Sequence, residues 1–132
     1  RLDQLGCTIG EVGIPYSDPI ADGPVIQASY QRVLDKRTKL AEIFHAVSQV
    51  QPKLTMPLVS MVSYSIIHKR GPQRYIADAK AAGFAGAIVP DLLVEESGSL
   101  SAICKQEDFS LIQLVTPTTT NERAIRIAEL SS

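Results

Sequence analysis

The stretch TIGEVGIPYSDPIADGP, residues 8–24, carries the clearest structural pattern in the sequence. Residues Thr8 to Ile14 include the β-branched residues typical of a short strand, which we expect to end at Pro15. The loop that follows carries two aspartates, and Pro24 suits the first turn of a helix because its missing N–H is unpaired there anyway. The stretch therefore predicts a strand, a polar loop and a helix start, the order found in α/β folds.

Three further strand–helix pairs are predicted along the chain. The strands are expected at Pro57–Val62, Gly86–Pro90 and Leu111–Val115. The first helix is expected from Pro24 to about Leu34, and the second from an N-cap at Thr38 through Val50. The later helices are expected at Pro72–Ala82 closed by Gly83, from Glu95 onward, and up to Leu130 after a cap within Thr118–Glu122. The segment from His68 to Gly71 is predicted to be a loop. Because strands joined by helices run parallel, the pattern predicts one parallel sheet covered by helices.

Two architectures fit this pattern, the (β/α)8 TIM barrel and the doubly wound sheet. Polar residues follow every predicted strand: Asp18 and Asp22, then Ser63 to Ser65, then Asp91, then Thr116. In a barrel all of them would lie around one rim, the catalytic face, whereas a doubly wound sheet gathers its site at one switch point. The ring-like distribution therefore favours the barrel. A glycine-rich phosphate loop of the P-loop or dinucleotide type is absent, which argues against nucleotide binding.

Composition excludes several functional classes. The 132 residues include 13 basic and 14 acidic ones, so the net charge of -1 predicts no general attraction to nucleic acid or to an anionic membrane. The apolar stretches are far shorter than the ~20 residues of a membrane span. Two cysteines, Cys7 and Cys104, lack metal-ligand spacing and stand among apolar neighbours, so we expect both to be buried free thiols.

Glu11 and Asp22 are the candidate chemical groups. Glu11 interrupts a strand that should be buried on both faces, so it needs either a basic partner or a function as a proton carrier. Asp22 stands before Gly23-Pro24, where an aspartate often serves a turn or caps a helix. Asp91 ends its strand and could cap the helix after it. His45 lies on a predicted helix and His68 in the basic loop, so neither predicts a metal or catalytic site.

The run from Glu11 to Pro24 resembles the signature of the tryptophan synthase α subunit family, with about ten fixed positions in fourteen. The likeness continues at Val25-Ile26-Gln27, Val89-Pro90-Asp91, Glu95-Glu96-Ser97 and Thr116-Pro117-Thr118. The family is a (β/α)8 barrel, and the four strands would correspond to its second to fifth. We therefore expect residues 1–132 to form one partial barrel domain without the first strand, the last three strands and their phosphate site.

The resemblance implies a retro-aldol lyase that splits indole-3-glycerol phosphate into indole and glyceraldehyde 3-phosphate in tryptophan biosynthesis. It assigns Glu11 as the acid/base and Asp22 as the carboxylate that holds the indole N–H. Met61, Ile88 and Leu114 match positions that line the indole pocket. The resemblance implies no cofactor on this chain, since pyridoxal phosphate belongs to the β subunit. Without its phosphate site, the isolated 132-residue chain is expected to have negligible activity.

The same resemblance implies an α2β2 partnership. Asp18 and Pro19 match the loop that faces the β subunit, while Ser65 and Leu93 stand near that surface in place of the expected asparagine and proline. The family implies a cytoplasmic location, or the plastid stroma in a plant. Two alternatives stay open: a non-catalytic α-like module that regulates a β-type partner, and another phosphosugar barrel enzyme, which would need metal-binding histidines at strand ends.

Overall fold

The computed structural model describes residues 1–20 and 22–131 of the chain. Its centre is a sheet of four strands, β1 Gly10–Gly13, β2 Leu58–Met61, β3 Phe84–Ile88 and β4 Ser110–Ile112. All three strand pairs are parallel, and the strands lie side by side in chain order. The predicted parallel sheet is confirmed, with β1 and β4 at its edges. Three strands are shorter than predicted and β3 lies nearer the N-terminus, because pairing stops where the chain turns into the loops at the strand ends.

Helices follow every strand in the described part of the chain. They are α1 Pro24–Leu34, α2 Leu40–Val50, α3 Tyr64–Arg70, α4 Pro72–Ala81, α5 Gly98–Gln106 and α6 Asn121–Leu130. Short 3-10 turns lie at Asp3–Leu5 and Gln51–Lys53. None of the helices in the described residues is long and apolar enough to cross a membrane.

The segment predicted as a loop at His68 to Gly71 is helical as far as Arg70, so that prediction was wrong. The helix starts where the Asp91 carboxylate accepts a hydrogen bond from the backbone N–H of Tyr64 at 2.8 Å. The helix ends at Gly71, whose φ of 89° is not helical and separates α3 from α4. The basic residues lie in the last turn of α3, where the helix dipole favours positive charge.

The helix predicted from Glu95 begins only at Gly98. The Ser97 hydroxyl donates a hydrogen bond to the Val94 carbonyl at 3.0 Å, and residues 94–97 form turns ahead of the helix. A short-range side-chain bond of this kind competes with helix formation and delays the start of α5.

The start of α2 also differs from the prediction. Its N-cap is Lys39 rather than Thr38. The Glu42 carboxylate accepts a hydrogen bond from the Lys39 backbone N–H at 2.6 Å, which satisfies a donor at the helix start.

The outer face of the sheet packs against the helices and forms the core. Val12, Ser60, Ala87 and Leu111 are paired across the four strands, so their side chains point to one face. The Tyr75 hydroxyl on α4 donates to the Ser60 hydroxyl at 3.1 Å, which places that face toward the helices. The buried apolar core includes Phe44, Val47, Leu58, Ile67, Ile76, Phe84, Leu100, Phe109 and Leu111.

The two cysteines differ from each other. Cys104 on α5 is buried as predicted, and burial raises the pKa of its thiol to about 11. Cys7 is exposed, so the prediction for it was wrong. Its apolar neighbours in sequence lie in the segment before edge strand β1, where a single neighbouring strand offers little cover.

The inner face of the sheet carries the remaining strand residues. Glu11, Val59, Gly86 and Ser110 form one row across the strands, and Gly13, Met61, Ile88 and Ile112 form the next. The second row lies nearer the C-terminal ends of the strands. These two rows position the side chains of the candidate site.

Candidate active site

A cleft of about 460 Å³ opens at the C-terminal ends of the strands. This volume is within the range of small-molecule binding sites. Its walls combine apolar side chains with a few polar ones, and they are Ile14, Tyr16, Asp18, Pro19, Ile20, Asp22, Tyr30, Met61, Val62, Ser63, Pro90, Asp91 and Leu114. We call this space the mouth cavity.

Asp22 lies in the wall of the mouth cavity and is half-buried. The N-cap of α1 is Gly23, which makes no side-chain cap, so a capping role for Asp22 is not seen. The side-chain amide of Gln27 donates a hydrogen bond to the Asp22 backbone carbonyl at 2.8 Å. The first turns of α1 thus hold the backbone of Asp22, and its carboxylate remains available to a ligand.

Glu11 lies on the inner face of β1, opposite Val59, and is exposed. No hydrogen bond or ion pair joins its carboxylate to another described residue, so the partner expected for a purely structural glutamate is not seen there. Glu11 is not part of the cavity wall. It stands two residues before Gly13 on the same face of the strand, below the mouth cavity.

Of the three apolar residues predicted for the indole pocket, two line the mouth cavity and one does not. Met61 and Leu114 both line the mouth cavity. Ile88 does not line it, although it pairs with Met61 on the inner face of the sheet. Leu114 follows the end of β4 and is 52% exposed. Met61 and Leu114 therefore give the cavity an apolar part of its wall.

Tyr30 was not predicted as a site residue, yet it lines the mouth cavity and is only 8% exposed. Burial first, and then the charges of Asp22 and Glu11, raise the pKa of its phenol. A sequence signal existed, because Tyr30 is spaced three and four residues before Val33 and Leu34 on the buried side of α1. Nothing in the sequence indicated that this side of α1 contacts the cavity.

Asp91, which follows β3, is hydrogen-bonded to residues that follow β2. Its carboxylate accepts hydrogen bonds from the Ser63 hydroxyl at 2.6 Å and from the Tyr64 backbone N–H at 2.8 Å. Asp91 was expected to cap the helix that follows its own strand. It instead binds the first N–H of α3, which follows β2, so that prediction was wrong. Both Ser63 and Asp91 line the mouth cavity, and their hydrogen bond fixes this part of its wall.

The residues predicted to face a partner subunit lie on the open side of the site. Asp18 and Pro19 are in the cavity wall, and the Ser17 hydroxyl donates to the Asp18 carboxylate at 2.7 Å. Ser65 is exposed at the start of α3, and Leu93 is 57% exposed in the loop after β3. Within the described residues, no group of three or more His, Cys, Asp or Glu could hold a metal ion.

Comparison with known sequences identifies a family. The sequence model of the tryptophan synthase alpha chain family matches residues 1–132. The tryptophan synthase alpha chain of Rhodopirellula baltica is 59% identical over 132 residues, covering 98% of this chain and 48% of that protein. The alpha chain of Clostridium kluyveri is 47% identical over 118 residues, covering 89% of this chain and 45% of that protein. The chain spans about half the length of the curated relatives it matches.

Solved structures agree with the sequences. A chain of the Pyrococcus furiosus tryptophan synthase complex superposes with a TM-score of 0.88 at 37% identity, covering 92% of this chain and 50% of that one. Tryptophan synthase from M. tuberculosis, in an aminoacrylate- and BRD0059-bound form, gives a TM-score of 0.90 at 32% identity, covering 98% and 52%. The four-stranded sheet is therefore an arc of a (β/α)8 barrel, as predicted. The chain belongs to the tryptophan synthase alpha chain family.

Proposed function

We propose that this sequence is part of an α-type lyase that cleaves indole-3-glycerol phosphate into indole and glyceraldehyde 3-phosphate. The observation that carries the proposal is the mouth cavity, whose wall combines Asp22 with the apolar side chains of Met61 and Leu114. Apolar walls suit a flat aromatic ring, and a carboxylate can accept a hydrogen bond from the indole N–H. Membership of the tryptophan synthase alpha chain family supports the same substrate.

The proposed reaction is a retro-aldol cleavage with two proton transfers. A proton added at C3 of the indole ring leaves positive charge on the ring, and the Asp22 carboxylate at the N–H stabilises that charge. A base removes the proton from the glycerol hydroxyl beside the breaking bond, and the electrons of the C–C bond return to the ring. We assign the movement of both protons to Glu11.

The placement of Glu11 supports this assignment. Its carboxylate lies on the inner face of the sheet without a hydrogen bond or an ion pair to another described residue. It is therefore available to act on a substrate that enters from the mouth cavity. The two carboxylates also differ in environment, since Glu11 is exposed on β1 and Asp22 is half-buried in the cavity wall. Two carboxylates with different roles suit acid–base chemistry of this kind.

We infer that the four strands belong to a longer chain that completes the barrel as one domain. In TIM-barrel enzymes a phosphate site is commonly formed by loops after the last two strands, which would lie beyond the four strands seen here. The binding energy of the phosphate positions the reacting carbons. The 132-residue chain on its own should therefore have negligible turnover, whereas the full-length chain, meaning the polypeptide that contains this sequence and the remaining strands, should be active.

We also propose a β-type partner subunit at the exposed side of the mouth cavity. Asp18, Pro19, Ser65 and Leu93 would contact it, and pyridoxal phosphate would be bound by that partner and not by this chain. A solved structure of the Pyrococcus furiosus enzyme is described as an α2β2 complex, which supports this assembly. We assign the protein to the cytoplasm on the basis of its biosynthetic role, with no nucleic acid or membrane as a partner.

The test is an assay of indole release from indole-3-glycerol phosphate by the full-length chain, with and without a β subunit. We expect indole release in both cases, faster with the partner. The 132-residue chain serves as the control and should give none above background. Activity that never appears in the full-length chain, with or without the partner, would show a non-catalytic regulatory module or a different phosphosugar enzyme, and would overturn the proposal.

A further inference from the structure

A chain of hydrogen bonds runs from the wall of the mouth cavity to the exposed start of α3. The Ser63 hydroxyl oxygen lies 2.6 Å from a carboxylate oxygen of Asp91 and 2.8 Å from the Ser65 hydroxyl oxygen. The Ser65 backbone N–H also donates to the Ser63 hydroxyl, at 3.3 Å. Asp91 and Ser63 line the cavity, whereas Ser65 is exposed outside its wall. The three side chains therefore connect the cavity wall to the surface.

The direction of each bond in this chain follows from Asp91. An ionised carboxylate has no proton to give, so the Ser63 hydroxyl is the donor in its contact with Asp91. A hydroxyl carries one proton, so Ser63 has none left for Ser65, and the Ser65 hydroxyl must donate to Ser63. The proton of Ser65 is thereby used, while its oxygen keeps lone pairs. The exposed Ser65 hydroxyl therefore presents only an acceptor to its surroundings.

Asp91 is anchored through both of its carboxylate oxygens, which fixes the chain in this direction. The oxygen that does not bind Ser63 accepts from the Tyr64 backbone N–H at 2.8 Å. No further hydrogen bond joins the Ser65 side chain to another described residue. The acceptor of Ser65 is therefore open to a group outside this part of the chain.

The surroundings of Ser65 favour a protein that carries donors. The loops after β1, β3 and β4 each expose a large apolar side chain at this end of the sheet: Ile20, Leu93 and Leu114. Exposed apolar side chains next to polar groups are typical of contact surfaces between proteins. Among the described residues that line the mouth cavity, three are aspartates and none is basic. A complementary partner surface therefore offers donors, and an acceptor buried there without one would cost free energy.

We propose that Asp91 is a positioning residue that acts through Ser63 to fix Ser65 as a hydrogen-bond acceptor, and that the β-type partner places an N–H or O–H donor against it. This inference rests on the proposed partner subunit. Asp91→Asn would reverse the chain of bonds. The amide oxygen still accepts from the Tyr64 N–H, but the amide NH2 donates to Ser63, whose proton then turns to Ser65. Ser65 would present its own proton to the partner's donor, and the contact would be lost.

The experiment measures the affinity of the full-length chain for a tryptophan synthase β subunit by isothermal titration calorimetry. We expect Ser65→Ala to weaken binding about 3–10-fold, the loss typical of one hydrogen bond. Ser65→Thr keeps the hydroxyl and should keep the affinity. Ser99→Ala is the matched control, because Ser99 is likewise the exposed second residue of a helix, α5, and its substitution should leave binding unchanged.

The role of Asp91 is tested by a double-mutant cycle. Asp91→Asn should weaken binding as much as Ser65→Ala does, and should cause no further loss in the Ser65→Ala background, because Asp91 acts through Ser65. A merely structural role would weaken binding equally in both backgrounds.

The outcomes separate this inference from the proposed function. Wild-type affinity in Ser65→Ala, or additive losses in the double variant, would overturn the inference and leave the partner in place. A full-length chain that releases indole but does not bind the β subunit would overturn the partner and this inference together, and leave the lyase function intact. Binding does not require indole release, so a failure of the lyase assay alone is seen separately.

Discussion

The two faces of the sheet differ in how far their side chains are covered and in whether their polar groups have partners. On the outer face, Ser60 and Leu111 are almost completely inaccessible, and even the Ser60 hydroxyl has a partner in Tyr75. On the inner face, Glu11 is exposed and Met61 and Ile88 are only half-buried. The outer face is a packed interior in which every group is satisfied. The inner face keeps the Glu11 carboxylate without a described partner below the mouth cavity, so the packed core and the candidate acid/base lie on different faces.

The largest effect on stability is expected for a leucine of the outer core. Leu100 on α5 is 2% exposed, and Leu100→Ala should lower the free energy of unfolding by about 2–5 kcal/mol, since it leaves a cavity. Leu114→Ala is the same substitution at a side chain that is 52% exposed in the mouth cavity, and should cost less than about 1 kcal/mol. Urea denaturation measures both. Equal losses would contradict the division between the two faces.

Alkaline pH should weaken the outer core through Tyr75. Burial raises the pKa of this phenol from 10.0 to about 12, so the unfolded chain loses its proton at lower pH than the folded one. The free energy of unfolding should therefore fall by about 3 kcal/mol as pH rises between these two values. Urea denaturation at about pH 9 and about pH 12 checks this, with Tyr75→Phe as the control.

The buried thiol of Cys104 adds a similar loss to the wild type and to Tyr75→Phe, so it cancels in their difference. If the two proteins lose stability equally with rising pH, then Tyr75 is not the group that titrates.

The contact between the inner face and α1 is tested by Gly13→Ala. The added methyl would lie 2.5 Å from the Tyr30 hydroxyl, so we expect a loss of about 1–3 kcal/mol from overpacking. Tyr30→Phe removes that oxygen and should recover part of the loss. A double-mutant cycle by urea denaturation measures the coupling. Strictly additive losses would show that the ring does not lie over β1.

The smallest effect is expected at the N-terminal segment. The Asp3 carboxylate accepts hydrogen bonds from the Thr55 hydroxyl at 2.6 Å and from the Met56 N–H at 3.0 Å. The Thr55 hydroxyl is the main cause that lowers the pKa of Asp3 below 3.8. The contact therefore stabilises the segment above that pH and is lost as the pH falls. Faster hydrogen exchange at Thr55 and Met56 in Asp3→Asn would confirm it, and unchanged exchange would exclude it.

Sequence reasoning predicted the parts of the fold that depend on local pattern. The four strands and their parallel pairing follow from the alternation of short apolar runs with helices. The start of α3 has a local cap, in which the Ser63 hydroxyl accepts from the Ser65 N–H, and a long-range one. Only the long-range one lies beyond local pattern, because Asp91, which binds the Tyr64 N–H, is 27 residues further along the chain. The exposure of Cys7 depends on the neighbours of an edge strand, which local hydrophobicity does not report.

Site residues could be predicted where a sequence motif contains them. They could not be predicted where packing between elements of the fold places them. The loop with Asp18 and Asp22 could be recognised from its residues, and both line the mouth cavity. Tyr30 could not be assigned there, because the side of α1 that meets the sheet is decided by contact with Gly13. Ile88 matches an indole-pocket position by family resemblance, and in the structure it pairs with Met61 but does not line the mouth cavity. Long-range contacts decide such positions.

The most direct test of the central claim is the rate of indole release from indole-3-glycerol phosphate by Glu11→Gln and Asp22→Asn in the full-length chain. Glu129→Gln and Asp35→Asn are the matched controls, because they make the same changes at exposed residues on α6 and after α1. We expect each site variant to lose about 10²–10⁴-fold in rate with its unfolding midpoint unchanged, and the controls to keep full activity. Wild-type rates in either site variant would contradict the assignment of the chemistry to Glu11 and Asp22.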